Sequence, residues 1–214
     1  MTTRARRKRE KEERRQSILR AAREVFFDEG FHQATVEAVA ALAEVGKGTV
    51  YLYFESKETI LAHLLLGGLR ELVDQLEEAY AVEESLSADE RLRRLGWAYF
   101  RFFQAEPHYF HFLMAMDRGR FREVVAPVVY QKVFECSVEG LDWVVRTVDQ
   151  GIAEGTFVSC DARQAAATLW ATLNGVLALV AHPLRREMIG LKSEALYEAA
   201  LEIVIQGLRN PITI

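Results

Sequence analysis

Residues 45–54, VGKGTVYLYF, place a lysine, two glycines, a threonine and three aromatic rings within ten positions. At helical spacing Val45, Val50 and Phe54 fall on one side, where they can pack inward, and Lys47, Thr49, Tyr51 and Tyr53 are left pointing outward. The outward set can do one kind of chemistry well. Lys47 brings positive charge, Gly48 removes a side chain where backbone must come close to a phosphate, and Thr49 offers a hydroxyl and a methyl. Tyr51 and Tyr53 add flat apolar faces and hydroxyls. Together these suit the phosphates and base edges of a duplex nucleic acid. Thr35 and Lys57 stand at the starts of the two flanking helices, where free N–H groups and the helix dipole also favour phosphate.

The elements that must position this set read as helices. Ile18, Ala22, Val25 and Phe26 recur at helical spacing in a first helix that stops at Gly30. Thr35 caps a short second helix with Val36, Val39, Ala40 and Ala43 on its apolar face. After a break at residues 44–46 a third short helix is predicted over 47–53, and Ser56 caps a fourth that runs to about residue 81. Two short helices behind a longer packing helix make a helix-turn-helix, whose second helix enters the major groove. Beyond the polar stretch VEESLSAD, helices are predicted over 88–104, 107–116, 121–154, 161–181 and 193–209. The expected fold class is all-α: a basic arm (1–15), a helix-turn-helix domain (16–62) and a larger helical domain (63–214).

The stretch TVEAVAALAEVGKGTVYLYFESKETIL (35–61) closely resembles the signature of the TetR family of transcriptional regulators, and ILRAAREVFFDEGFHQAT upstream resembles that family's first helix. The resemblance is strong over residues 16–62 and weak beyond. It implies an all-helical homodimer whose divergent C-terminal domain binds a small molecule and thereby resets the spacing of two DNA-reading heads. Carried over position by position, the family's DNA contacts fall on Thr35, Lys47, Gly48, Thr49, Tyr51, Tyr53 and Lys57. Two departures show: Glu44 stands where members usually have glycine, and Gly46 where serine is common. A side chain in a left-handed turn costs about 1 kcal/mol, and glycine for a serine cap costs a few tenths.

Charge divides the chain. Residues 1–23 hold ten Lys or Arg against three Glu, whereas the other 191 residues carry 17 basic and 28 acidic side chains. The basic arm reads in two ways, as a segment lying along phosphates or in the minor groove and adding affinity without sequence choice, or as a disordered solubilising tail.

In the larger domain, bulky side chains on short helices can enclose an apolar cavity for a lipophilic or aromatic effector, although core packing must account for most of them. The pocket candidates are Trp97, Phe100, Phe103, Gln104, Tyr109, Phe110, His111, Met114, Tyr130, Trp143, Trp170 and Asn174, with Gln104, His111, Tyr130 and Asn174 as polar handles. The last two long helices carry small and apolar residues on extended faces. Leu169, Leu173, Val176, Leu177, Leu196, Ala200, Ile203, Val204 and Gly207 are the candidates for a two-fold dimer interface. Two-fold symmetry predicts a palindromic operator with half-sites about 34 Å apart.

No apolar run is long enough for a membrane span and no apolar core follows the basic start, so no export signal and a cytoplasmic location are expected. Cys136 and Cys160 make neither a disulfide framework nor a zinc site. No nucleophile elbow, zinc-protease motif or phosphate loop is present, so no cofactor, metal or catalytic role is expected. The expected function is a ligand-responsive, sequence-specific DNA-binding repressor acting as a homodimer on a palindromic operator. The alternatives are a nonspecific DNA-binding protein without an effector and an enzyme using the C-terminal bundle.

Overall fold

The structure, a computed structural model, describes residues 3–81, 85–117 and 121–210, with side chains at 3 and 114–117 excepted. Within these residues the helices are α1 (Thr3–Asp28), α2 (Val36–Leu42), α3 (Lys47–Tyr51), α4 (Lys57–Ala81), α5 (Ala88–Ala105), α6 (Pro107–Asp117), α7 (Phe121–Val124), α8 (Pro127–Ala153), α9 (Ala162–Val180), α10 (Pro183–Ile189) and α11 (Ser193–Leu208). The one β feature among them is an isolated bridge between Phe157 and Arg209. The all-helical class expected from the sequence is therefore the observed one. No single described helix is long and apolar enough to cross a membrane.

Local chemistry sets the boundaries. Thr35 Oγ1 accepts from Ala38 N at 3.1 Å, Ser56 Oγ from Thr59 N at 3.0 Å and Asp161 Oδ1 from Gln164 N at 2.9 Å, so each caps the helix that follows. Pro107, Pro127 and Pro183 each occupy the first residue of a helix, the one place where a missing N–H costs nothing. Pro127 is why the single helix expected over 121–154 is two, since α7 ends before it and α8 begins on it. The break expected at HPLRREMIG contains the short helix α10, closed by Gly190 at φ 67°. Residues 4–15 are helical and continuous with the rest of α1, so the basic arm is an ordered part of the first helix.

The chain forms two compact units, Met1–Arg70 with Glu106–Cys136, and Glu71–Ala105 with Ser137–Ile214. The division expected at residue 62 thus has a different course here, because residues 106–136 fold with the N-terminal helices. In the first unit Ile18, Ala22 and Phe26 of α1 are buried together with Val39 and Ala40 of α2, and with Val50, Phe54, Ile60 and Leu61. α6 is fixed to α1 by Phe27, whose ring stacks on His108 at 4.1 Å, and by Arg23, whose guanidinium bonds both Glu106 oxygens at 3.0 Å. Tyr109 of α6 lies where a Cβ on Gly68 of α4 would be, 2.4 Å away, so only glycine admits this approach. Phe121, Val125 and Val129 close over Ala62.

In the second unit α9 packs on α11, and α11 on α5. Tyr197 is wholly buried and donates its hydroxyl to the Gly96 carbonyl at 2.8 Å. Leu201 fills the space beside Gly96, and Phe157 the space beside Gly151. Arg93 pairs with Glu202, and Arg209 with Asp89, which tie α5 to α11 and to the residue that follows it.

Candidate nucleic-acid interface and effector region

The turn between α2 and α3 decides where α3 points. Its geometry is a Schellman motif: Val45 N bonds Ala40 O at 2.9 Å and Glu44 N bonds Ala41 O at 3.2 Å, with Glu44 in the left-handed region at φ 54°. The glutamate therefore adopts the conformation that glycine adopts most readily, at a steric cost. Glu44→Gly is expected to raise the unfolding free energy by about 0.5–1 kcal/mol, the relief of that strain less the added freedom of the unfolded chain. Urea denaturation checks it, and a loss of stability would show that the Glu44 side chain contributes more than its backbone costs.

α3 itself is only five residues and buries a single side chain, Val50. Phe54, 1% exposed, anchors the chain just beyond it. The Phe54 ring meets His63 edge-on at 5.5 Å and lies under the Arg15 guanidinium at 5.4 Å, so α1, α4 and the end of the recognition segment share one contact. This division of inward and outward residues is the one read from spacing, with Val45 only half-buried. Thr35, Lys47 and Gly48 are exposed, Tyr51 is 46% exposed, and Thr49 and Tyr53 are half-buried.

Three features escaped the sequence reading. Leu52, directly after α3, is 80% exposed and adds an apolar side chain to the same surface. Glu37 of α2 binds Lys47 Nζ, and Lys47 also lies over the Tyr51 ring at 5.8 Å. This bond holds the Glu37 carboxyl below its ordinary range and the Lys47 ammonium above its own. Lys57, read as a phosphate contact, has other partners here. Its Nζ donates to the carbonyls of Phe31 (2.8 Å), Ala34 (3.0 Å) and His32 (3.4 Å) and lies 4.6 Å from the Phe31 ring centroid. No local pattern links residue 57 to residues 31–34, so only the folded chain reveals this bond.

His63 Nδ1 accepts a hydrogen bond from Arg15 Nη2 at 2.9 Å. Burial, and then the charges of Arg15 and Lys132, lower its pKa from 6.5 to about 4, against a weaker opposing pull from Glu12. The imidazole is therefore neutral in the folded protein at pH 7. Because the unfolded chain takes up this proton near 6.5 and the folded one only near 4, the stabilisation is complete above 6.5 and is lost as the pH falls towards 4. Replacing His63 with Gln is expected to flatten the stability profile across that window. An unchanged difference between wild type and variant at pH 7 and pH 5 would refute the assignment.

The effector candidates are split between the two units. In the second, Phe100 lies 4.6 Å from Tyr197, Trp97 lies 5.4 Å from Phe100, and Phe103 lies 4.9 Å from Tyr99. Trp143 packs on Tyr80 at 4.8 Å, and its buried indole N–H has no hydrogen-bond partner among the described residues. Asn174 is committed within the protein: its Oδ1 accepts from Tyr99 at 3.0 Å and its Nδ2 donates to Trp170 O at 2.9 Å. Burial pushes the Tyr99 hydroxyl up to about 12, so it remains a donor. Gln104 is exposed, and Trp170 is 48% exposed on the outer side of α9. In the first unit Tyr109 and Phe110 are buried, Tyr130 is half-buried and His111 is exposed, while the Met114 side chain lies outside the described residues.

The dimer candidates divide by burial. Leu169, Leu173, Val176 and Leu177 are buried within the protomer, because α9 uses that side to pack on α11. Leu196, Ala200 and Val204 are half-buried, and Gly207 and Ile203 are exposed, the latter at 72%. The open side of the pair carries Trp170, Leu179 and Ile203 among small residues such as Ala171, Gly175 and Ala199.

Comparison with known proteins agrees with the head and extends past it. Residues 18–64 match the model of the bacterial regulatory proteins of the tetR family. The chain is 30% identical over 149 residues to the uncharacterized HTH-type transcriptional regulator YhgD of Bacillus subtilis, covering 70% of this chain and 74% of that one. It is 26% identical over 195 residues to the Fatty acid metabolism regulator protein of B. subtilis, covering 90% and 94%. Its fold is similar to the crystal structure of the transcriptional regulator FadR from B. subtilis in complex with stearoyl-CoA, at TM-score 0.70 and 24% identity over 91% of this chain and 99% of that one. A helix-turn-helix head with an outward-facing α3, a second helical unit and relatives aligned along most of the chain lead to one identification: this chain belongs to the TetR family of transcriptional regulators.

Proposed function

We propose that this protein is a repressor that binds a palindromic operator as a homodimer and leaves it on binding a long-chain acyl-CoA. The observation that carries the reading is the likeness to a fatty acid metabolism regulator over 90% of the chain, which includes the part that would hold an effector. The aromatic side chains of α5 supply apolar surface for an acyl chain. Lys47, Thr49, Tyr51 and Tyr53 on and just after α3 read the operator, and the open side of α9 and α11, with Trp170, Leu179 and Ile203, forms the two-fold interface.

The test is to select a binding site from random duplexes and titrate the complex with stearoyl-CoA, free stearate and CoA alone, following fluorescence anisotropy. Release by stearoyl-CoA at micromolar concentration, and not by CoA, is the expected result. If no duplex is enriched the protein is a nonspecific DNA binder, and if one is enriched but acyl-CoA does not release it, the effector belongs to another class.

A further inference from the structure

The charges at the start of α1 are arranged by side. Arg4, Arg7, Lys8, Lys11, Arg14 and Arg15 recur at intervals of three and four residues and so share one stripe of the helix. Every acidic residue of the segment lies off this stripe. Two of them are spent on the opposite side, where Glu10 binds Arg6 at 2.8 Å and Glu13 binds Arg9 at 3.2 Å, and Glu12, at the edge of the stripe, reaches Arg15 at 3.5 Å. The stripe has a definite direction as well. It runs in line with Ile18, which is fully buried, and Arg15 at its end reaches His63 of α4 at 2.9 Å. The basic stripe therefore lies on the side of α1 that faces the rest of the DNA-binding unit.

This arrangement works against the helix that carries it. Like charges three and four residues apart each cost a few tenths of a kcal/mol. Cations in the first turn, where no acidic residue is present, also oppose the helix dipole. A helix that places most of its ion pairs on one side and leaves the other predominantly cationic is complemented by a polyanion, whose binding would remove both penalties.

We infer that the first turns of α1 form a rail that binds the phosphate backbone of the operator duplex beside the half-site read by α3. Residues 4–15 at about 1.5 Å per residue extend roughly 17 Å, the length over which one DNA strand presents about five phosphates at 3.4 Å spacing. The rail adds affinity for any sequence and no discrimination between sequences. The inference rests on the DNA-binding reading above.

Two variants of equal charge separate the rail from bulk electrostatics. One, Arg7→Gln/Lys11→Gln/Arg14→Gln, removes three of the six cations of the stripe. The other, Arg6→Gln/Arg9→Gln/Arg20→Gln, removes three cations from the opposite side. Affinity of the full-length protein for its selected duplex is measured from 50 to 200 mM salt. The stripe variant is expected to lose two to three from the log-log salt slope, at about 0.9 per phosphate contact, and tenfold or more in affinity at the low-salt end. The ranking of operator variants is expected to stay the same, and the opposite-side variant to keep a slope near wild type. Equal slopes in the two variants would overturn the inference while leaving the operator reading intact. Binding of the stripe to acidic phospholipid vesicles with no change in the DNA slope would also overturn it. Failure of the wild type to prefer any duplex would instead remove the operator reading itself.

Discussion

Replacing Phe54 with alanine is expected to lower the unfolding free energy by about 3–5 kcal/mol, the usual cost of emptying a buried aromatic site, and to abolish operator binding. The ring is 1% exposed and meets α1 through Arg15 and α4 through His63. α3 has little else to hold it. Its five residues bury only Val50, and the Phe54 and Tyr53 amides close the following turn by bonding back to Val50 O, both at 3.0 Å. Against a typical stability of about 5–15 kcal/mol, the loss would leave a sizeable fraction of the head unfolded at 37 °C. Urea denaturation and anisotropy with the selected duplex check it. A destabilisation below about 1 kcal/mol would mean that α3 is seated by something other than this ring.

Lys57→Ala is expected to cost about 2 kcal/mol of stability. A charge-assisted hydrogen bond contributes roughly 1.5–3 kcal/mol net, and three carbonyls share this ammonium. Because the side chain is only half-buried, water recovers part of the loss. The carbonyls belong to residues 31–34, immediately before Thr35 caps α2, so their release loosens the entry to the helix-turn-helix and weakens binding to every duplex. A direct phosphate contact would behave differently, lowering the salt slope by about 0.9 at unchanged stability. Lys57→Met separates the parts of the side chain, since it keeps the stem over Phe31 and deletes the charge. If Met restores the stability lost in Ala, the stem and not the ammonium holds the turn.

The two cases show how far the sequence could be read. Helix positions were legible where caps and prolines act locally: Thr35 and Ser56 each bond an amide three residues ahead, and Pro107 opens a helix. Pro127 is a local signal of the same kind, masked by an apolar pattern that continues at helical spacing on either side of it. The outward set Lys47, Gly48, Thr49, Tyr51 and Tyr53 followed from periodicity, since a five-residue helix cannot bury more than one side. The partners of these residues were not legible. Glu37 meets Lys47 across a turn, Lys57 meets carbonyls more than twenty positions away, and Asn174 is taken by Tyr99 seventy-five positions earlier.

The same divide runs through the last two long helices. Periodicity marks Leu169, Leu173, Val176 and Leu177 as one apolar side of α9 and cannot say whether it faces its own chain or a second copy, since both partners are apolar. Packing on α11 assigned that side to the protomer and left Trp170, Leu179 and Ile203 open. The sequence alone determined the family, the all-helical class with most of its helices and the face that α3 presents, because each is written in neighbouring residues through capping, spacing and charge. Only the tertiary structure decided which cations are committed to carbonyls and which apolar side is already covered, because these depend on distant segments meeting in space.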